Sequence, residues 1–172
     1  DVDRINFDNK YYRTDIGPSV KRVYVKRKDQ FDFASHNLKT KIKNTLDIDI
    51  EDIKIYNRYD IETSDDNLKK ILYTVLSEAP VDEVYAFDDA INLQESFKKT
   101  IVSQYLPGQF NPREKGVIDT SLLIIEDNEL AVKASTVYEL SGVKDCDIEK
   151  IEDFLINPVD SQQVNLIGIP TT

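Results

Sequence analysis

The chain has little of what metal, thiol and phosphate chemistry require. It contains one histidine (His36), one cysteine (Cys146), no methionine or tryptophan, and five glycines in 172 residues. A single histidine allows neither a His-pair zinc site nor an HExxH helix. A lone cysteine excludes an internal disulfide framework and a thiolate metal cluster, and it fits a reducing, cytoplasmic compartment. Cys146 lies between Asp145 and Asp147, negative neighbours that disfavour the thiolate a nucleophile needs. Any Ser- or Cys-based triad would have to recruit His36, which falls early in an expected helix and reads as a surface residue. No GxGxxG, GxxxxGK[ST] or GxSxG occurs, so neither ATP binding nor a serine nucleophile elbow has sequence support. The longest apolar runs, such as 121–125, fall far short of the ~20 residues a membrane helix needs. The opening Asp1-Val2-Asp3-Arg4 is the opposite of a basic, then apolar, secretory signal.

Positive charge is also scarce. Lys and Arg number 22 against 32 Asp and Glu, a formal net charge of −10. Nucleic-acid affinity rests on neutralising phosphates, so no nucleic acid is expected as a partner, and no membrane either. The one basic cluster, Lys21-Arg22 with Lys26-Arg27-Lys28, brackets Val23-Tyr24-Val25 and reads as a solvated strand edge guarded by cations. The acidic pairs Asp65-Asp66, Asp82-Glu83 and Asp88-Asp89 fall mostly at expected helix starts and turns, where they complement the helix dipole. Among so many acids, no pair stands out as catalytic carboxylates.

What the chain does have is pattern. Arg22 to Lys26 alternates and is rich in β-formers, hence a strand. Asp32 is placed to cap a helix from Phe33, with Phe33, Leu38, Ile42 and Leu46 near one stripe. Residues 52–62 alternate through Ile53, Ile55, Asn57, Tyr59 and Ile61, which predicts a long strand with one apolar face. Ser64-Asp65-Asp66 opens a second helix, buried through Leu68, Ile71, Leu72, Val75 and Leu76. Residues 81–87 return to strand. After a helix-rich connector at 88–95, a second cycle predicts a strand at 100–106, a helix at 113–125 weakened by Gly116, a strand at 130–140, a helix at 147–156 and a short strand within 159–164. Strand–helix–strand–helix–strand thus occurs twice. The boundaries are an N-terminal extension 1–19, a first half 20–88, a connector 89–99, a second half 100–164 and the start of a linker at 165–172. Such a repeat predicts two units packed about a pseudo-twofold axis.

One segment invites more than a structural reading. Leu106-Pro-Gly-Gln-Phe-Asn-Pro-Arg113 links a strand to a helix. Pro107-Gly108 suits a tight turn, which would present Gln109 and Arg113 at the lip of the sheet; the purely structural alternative, which physics alone favours, is a strand-to-helix corner plugged by Phe110.

This segment resembles the LPGQFDQR stretch in the N-terminal region of large-type phosphoribosylformylglycinamidine synthase, the glutamine-dependent amidotransferase of purine biosynthesis. Four further stretches are similar to that family, in order: 22–26 through Phe31-Asp32 (RIFVEKK…FD), 55–62 (INRYDVE), 77–85 (SEPPVDEVY) and 155–161 (LINPVDSR). Together they span about 21–162. The chain departs at Asn111-Pro112, where the family has Asp-Gln, at Glu114-Lys115-Gly116, where small residues are usual, and at Gln162, where a basic residue is common.

The resemblance implies an α+β fold of tandem PurS-like β-α-β-α-β units packed as a pseudo-dimer, with an antiparallel-rich sheet and helices on one side. It implies a non-catalytic assembly domain that seats the glutaminase against the synthetase and helps ammonia pass between them. No cofactor would bind this piece; ATP and Mg would belong to downstream domains of the same chain, which are its expected partners. Asn57, Arg58, Gln109, Phe110 and Arg113 are the expected interdomain contacts. Two other functions compete: a stand-alone ACT-like module with a small-ligand pocket between its halves, and a small hydrolase using two carboxylates.

Overall fold

A computed structural model describes residues 20–86, 99–106 and 108–164. The elements expected at 1–19, 88–95 and 165–172, and Pro107 of the expected turn, therefore lie outside the described residues. The fold is α+β, an open six-stranded antiparallel sheet with four helices.

β1 (Val20–Arg27) leads through a short 3-10 turn to α1 (Phe33–Leu46). Asp32 caps this helix, one carboxylate oxygen accepting from the Ser35 amide (3.1 Å) and the other from the Ser35 hydroxyl (2.6 Å). Such a cap satisfies amides that have no partner within the helix. Asp47 ends the helix in a left-handed conformation. β2 (Asp52–Glu62) follows, then α2 (Asp65–Ile71), capped by Ser64. α2 loosens into one π-helical turn (Leu72–Leu76), and the Ser77 hydroxyl donates to the Leu72 carbonyl (2.6 Å). β3 (Asp82–Ala86) closes the first half. The second half runs β4 (Lys99–Tyr105), α3 (Pro112–Ser121), β5 (Ala131–Ser141), α4 (Asp145–Leu155) and β6 (Ser161–Val164).

The strand order is β3-β1-β2-β5-β4-β6, with β2 and β5 paired along their whole length, Asp52↔Ser141 to Glu62↔Ala131. Side chains alternate faces along a strand, and the residues that pack with helices share one parity. Val23, Val25, Tyr59, Ile61, Val132 and Ala134 form a core with α2 and α3; Ile53, Ile101 and Leu140 form another with α1 and α4. All four helices therefore cover one face. Each core also draws on both halves of the chain.

Three expectations need correction. The β1 cations do not guard an edge: β1 lies inside the sheet between β3 and β2. Arg22 and Lys26 are 6% and 3% exposed. Burial is tolerated because Arg22 makes a two-point ion pair with Asp60 (2.6 and 3.0 Å) and Lys26 bonds Asp29 (2.9 Å). β2 does turn its apolar face, with Ile53, Tyr59 and Ile61, to the cores, while Tyr56, Arg58 and Asp60 on its other side are buried too. Phe33 does not join the α1 stripe. It is 69% exposed at the first helical residue, and the packed face starts at Leu38. Finally, α3 stops at Ser121 rather than reaching Ile125. The Leu123 and Ile124 amides bond three residues back, tightening the chain so that Ile125 turns into the core.

Candidate functional site

The site is built around the corner from β4 to α3. The Gln109 amide donates to the Leu106 carbonyl (3.0 Å), closing a turn in which Gly108 has φ +82°. Nothing lies within 4 Å of where a Gly108 Cβ would be, so glycine serves here for its conformation rather than for space. The corner is tied down at both ends. The Leu106 amide donates to Asp160 O (2.8 Å), within the turn that follows α4. Asn111 caps α3, its side-chain oxygen accepting from the amides of Arg113 (3.0 Å) and Glu114 (3.4 Å). Pro112 at the first helical position costs no hydrogen bond. Glu114 reaches the sheet, accepting from the Ala134 amide (2.8 Å).

The corner holds Gln109 and Phe110 in solvent, Phe110 at 66% exposure. Phe110 is therefore not a plug. Arg113, half-buried, lies across the β2–β5 seam: its guanidinium donates to Asn57 Oδ1 and to Thr136 Oγ1 (3.4 Å), and stands 5.5 Å from the Tyr59 ring centre. Asn57 and Thr136 are register partners at the middle of that pairing. Burial raises the phenol pKa of Tyr59 and of Tyr138, and the nearby positive charge of Arg113 partly offsets both shifts.

Four of the five expected contact residues thus belong to one region: Gln109, Phe110 and Arg113 on the corner, and Asn57 beneath it. Arg58 does not join them. As Asn57's neighbour on a strand it points through the opposite face, fully buried, with Nε donating to Ser135 Oγ (2.6 Å). There it adjoins Tyr24 and the Arg22–Asp60 pair, and desolvation together with Arg22 lowers its pKa. Tyr24, Tyr56 and Tyr85 cross that helix-free face in two edge-to-face contacts, at 6.3 and 6.0 Å between ring centres. Sequence reasoning missed Tyr59, Thr136 and Tyr138 as companions of Arg113. Aligning the two long strands residue by residue would have found them.

Chemistry finds little else to use. Among the described residues, no three His, Cys, Asp or Glu side chains are grouped to hold a metal ion. His36 and Cys146 are both exposed, on different helices. A cavity of about 530 Å³ lies between the end of α4 and β6, lined by Leu106, Glu152, Asp153, Ile156 and Gln162 among others. It belongs to the second half, away from the seam where a pocket between halves would lie. No helix among the described residues is long and apolar enough to cross a membrane. No protein-family model, curated protein or solved structure matches the chain.

Proposed function

We propose that this chain is an assembly domain, the PurS-like N-terminal part of a large-type phosphoribosylformylglycinamidine synthase, built from two fused copies of one small unit. On this reading its work is to couple a downstream glutaminase to a downstream synthetase.

The observation that carries the reading is the spacing of the elements. β1 and β4 start at Val20 and Lys99, α1 and α3 at Phe33 and Pro112, β2 and β5 at Asp52 and Ala131, β3 and β6 at Asp82 and Ser161: a constant offset of 79 residues. α2 and α4, at Asp65 and Asp145, differ by 80. The strand order reads third, first, second from either edge, and Asn57 pairs with its own counterpart Thr136, 79 residues on. That is the arrangement of a dimer in which two copies join long central strands around a twofold axis. A second support is that three of the family-like stretches meet. Asn57 in 55–62 holds Arg113 in 106–113, and the turn in 155–161 holds Leu106. ATP and Mg belong to the synthetase on this reading, and no chemical step passes through this chain.

The test is to remove residues 1–165 from the parent enzyme and measure glutamine hydrolysis, glutamine-dependent product and ammonia-dependent product together. Hydrolysis uncoupled from product formation is expected. Unchanged glutamine-dependent turnover would end the proposal.

A further inference from the structure

We infer that Arg113 is the receptor for a carboxylate on a partner polypeptide that docks at the β4–α3 corner; the inference rests on the assembly reading above. A guanidinium carries five donors in a fixed fork. Here its hydrogen bonds go to Asn57 and Thr136 and its carbon faces the Tyr59 ring, all neutral groups. Several other placed cations find acids: Arg22 has Asp60, Arg27 has Asp82, Lys99 has Asp145 and Lys115 has Asp119, whereas Lys39 goes to the Glu51 carbonyl and Lys41 lies over the Phe154 ring. Arg113 pairs with no carboxylate of the described residues, although acids outnumber bases by ten in the sequence. Its neighbour Glu114 is committed to the Ala134 amide.

Its position also runs against the fold's own interest. Arg113 stands in the first turn of α3, where the helix dipole favours negative charge and opposes a cation. The matching position in the first half is Ala34, also in the first turn of its helix. The architecture therefore does not require the charge. An arginine that costs helix stability, held rigid by neutral partners with donors unspent, is preorganised for an external anion. Exposed Phe110 and Gln109 on the same corner supply an aromatic anchor and an amide beside it. Aromatic residues, Phe among them, and arginine are enriched in protein interfaces. The matching surface is an Asp or Glu flanked by an apolar pocket.

The experiment uses the full-length parent carrying Arg113→Gln, Arg113→Lys or Arg113→Glu, with the ratio of glutamine-dependent to ammonia-dependent rate as readout. Losing a charge-assisted contact should lower that ratio about tenfold in Arg113→Gln. Arg113→Lys should recover part of it. Selection for suppressors of Arg113→Glu should return Asp or Glu changed to Lys or Arg in the downstream domains. If Arg113→Gln and Arg113→Glu keep the normal ratio while removal of residues 1–165 destroys it, the carboxylate receptor is refuted and the assembly reading survives. If that removal leaves the ratio unchanged, both fall. A drop in ratio that tracks a lower melting temperature of the variant chain, with no charge suppressor outside it, marks a structural role and also overturns the inference.

Discussion

Cutting the chain within 87–98 should leave two fragments, 1–92 and 93–172, that cannot fold separately yet fold on mixing. The reason lies in how the cores are shared. Removing the second half takes Val117, Ile125, Val132 and Ala134 from the core built on α2 and α3, and Ile101, Leu140 and Ile151 from the other. The first half's side chains in both clusters lose that cover, and β2 loses the partner that follows it over eleven register pairs. Full burial of a large apolar side chain contributes ~1.5–3 kcal/mol, so half-uncovering costs roughly 1 kcal/mol each. The twelve such side chains on the first half give on the order of 12 kcal/mol. A domain's whole net stability is about 5–15 kcal/mol, so the isolated half is left with little or none. Circular dichroism and amide proton NMR dispersion on each fragment, then on an equimolar mixture, read the outcome. A fragment that melts cooperatively as a monomer would refute the shared-core reasoning. Association through the exposed β2 edge would instead make melting depend on concentration.

Two further perturbations follow from single positions. Gly142 has φ +71°, and a Cβ there would stand 2.5 Å from the Glu51 Cβ. Gly142→Ala combines backbone strain of ~1–2 kcal/mol with an overlap costing ~1–3 kcal/mol, and so lowers the melting temperature by roughly 5–15 °C for a chain of this size. In urea melts, Glu51→Gly in the same chain should recover the overlap share, and strictly additive effects would exclude the clash. Tyr24, Tyr56, Tyr59 and Tyr138 all have raised phenol pKa values, with desolvation the largest cause. Raised pKa means that the fold favours the neutral phenol. The stability this gives is complete below the unfolded value of about 10 and is lost as pH rises through the folded values. Of nine tyrosines, four should therefore ionise late, together with alkaline unfolding, in a phenolate absorbance titration. All nine ionising together at about pH 10, the ordinary phenol value, with native circular dichroism would contradict this.

The elements themselves were legible in the sequence because each carries its own local signal. Asp52 to Glu62 alternates over the same residues that form β2; Asp32 and Ser64 mark helix starts that the structure places there, with their caps. The exposure of the tertiary surface was not legible. Arg22 and Lys26 look like edge cations because sequence charge says nothing of Asp60 and Asp29, the partners that let them be buried. Ile125 looks like a helix residue because its periodicity continues, whereas its burial depends on the chain tightening after Ser121. Asn57 and Arg58 look like one contact pair because they are adjacent, yet adjacency in a strand sends them to opposite faces. The corner was legible as a turn, but not the burial of Asn111 or the exposure of Phe110. Those depend on where the helix lands on the sheet.

The place of Arg113 gives a physical reason to prefer fused halves over a symmetric dimer. Around a true twofold axis, any side chain near the axis meets its own copy. Two guanidiniums held over the Asn57–Thr136 pair would face each other as like charges, repelling by several kcal/mol at an effective dielectric constant near 20 and a separation of about 4 Å. A symmetric dimer would therefore carry a pair of such charges with compensating anions, or none. In one chain the two positions can diverge, and the counterpart of Arg113, 79 residues earlier, is Ala34. On the reading of two fused copies, the result is a single preorganised cation beside the central strand pairing. Replacing Ala34 by Arg should restore the clash and lower the melting temperature, while adding Arg113→Ala to that chain should relieve it. If Ala34→Arg alone melts like the starting protein, the two positions do not share the axis and the asymmetry has another cause.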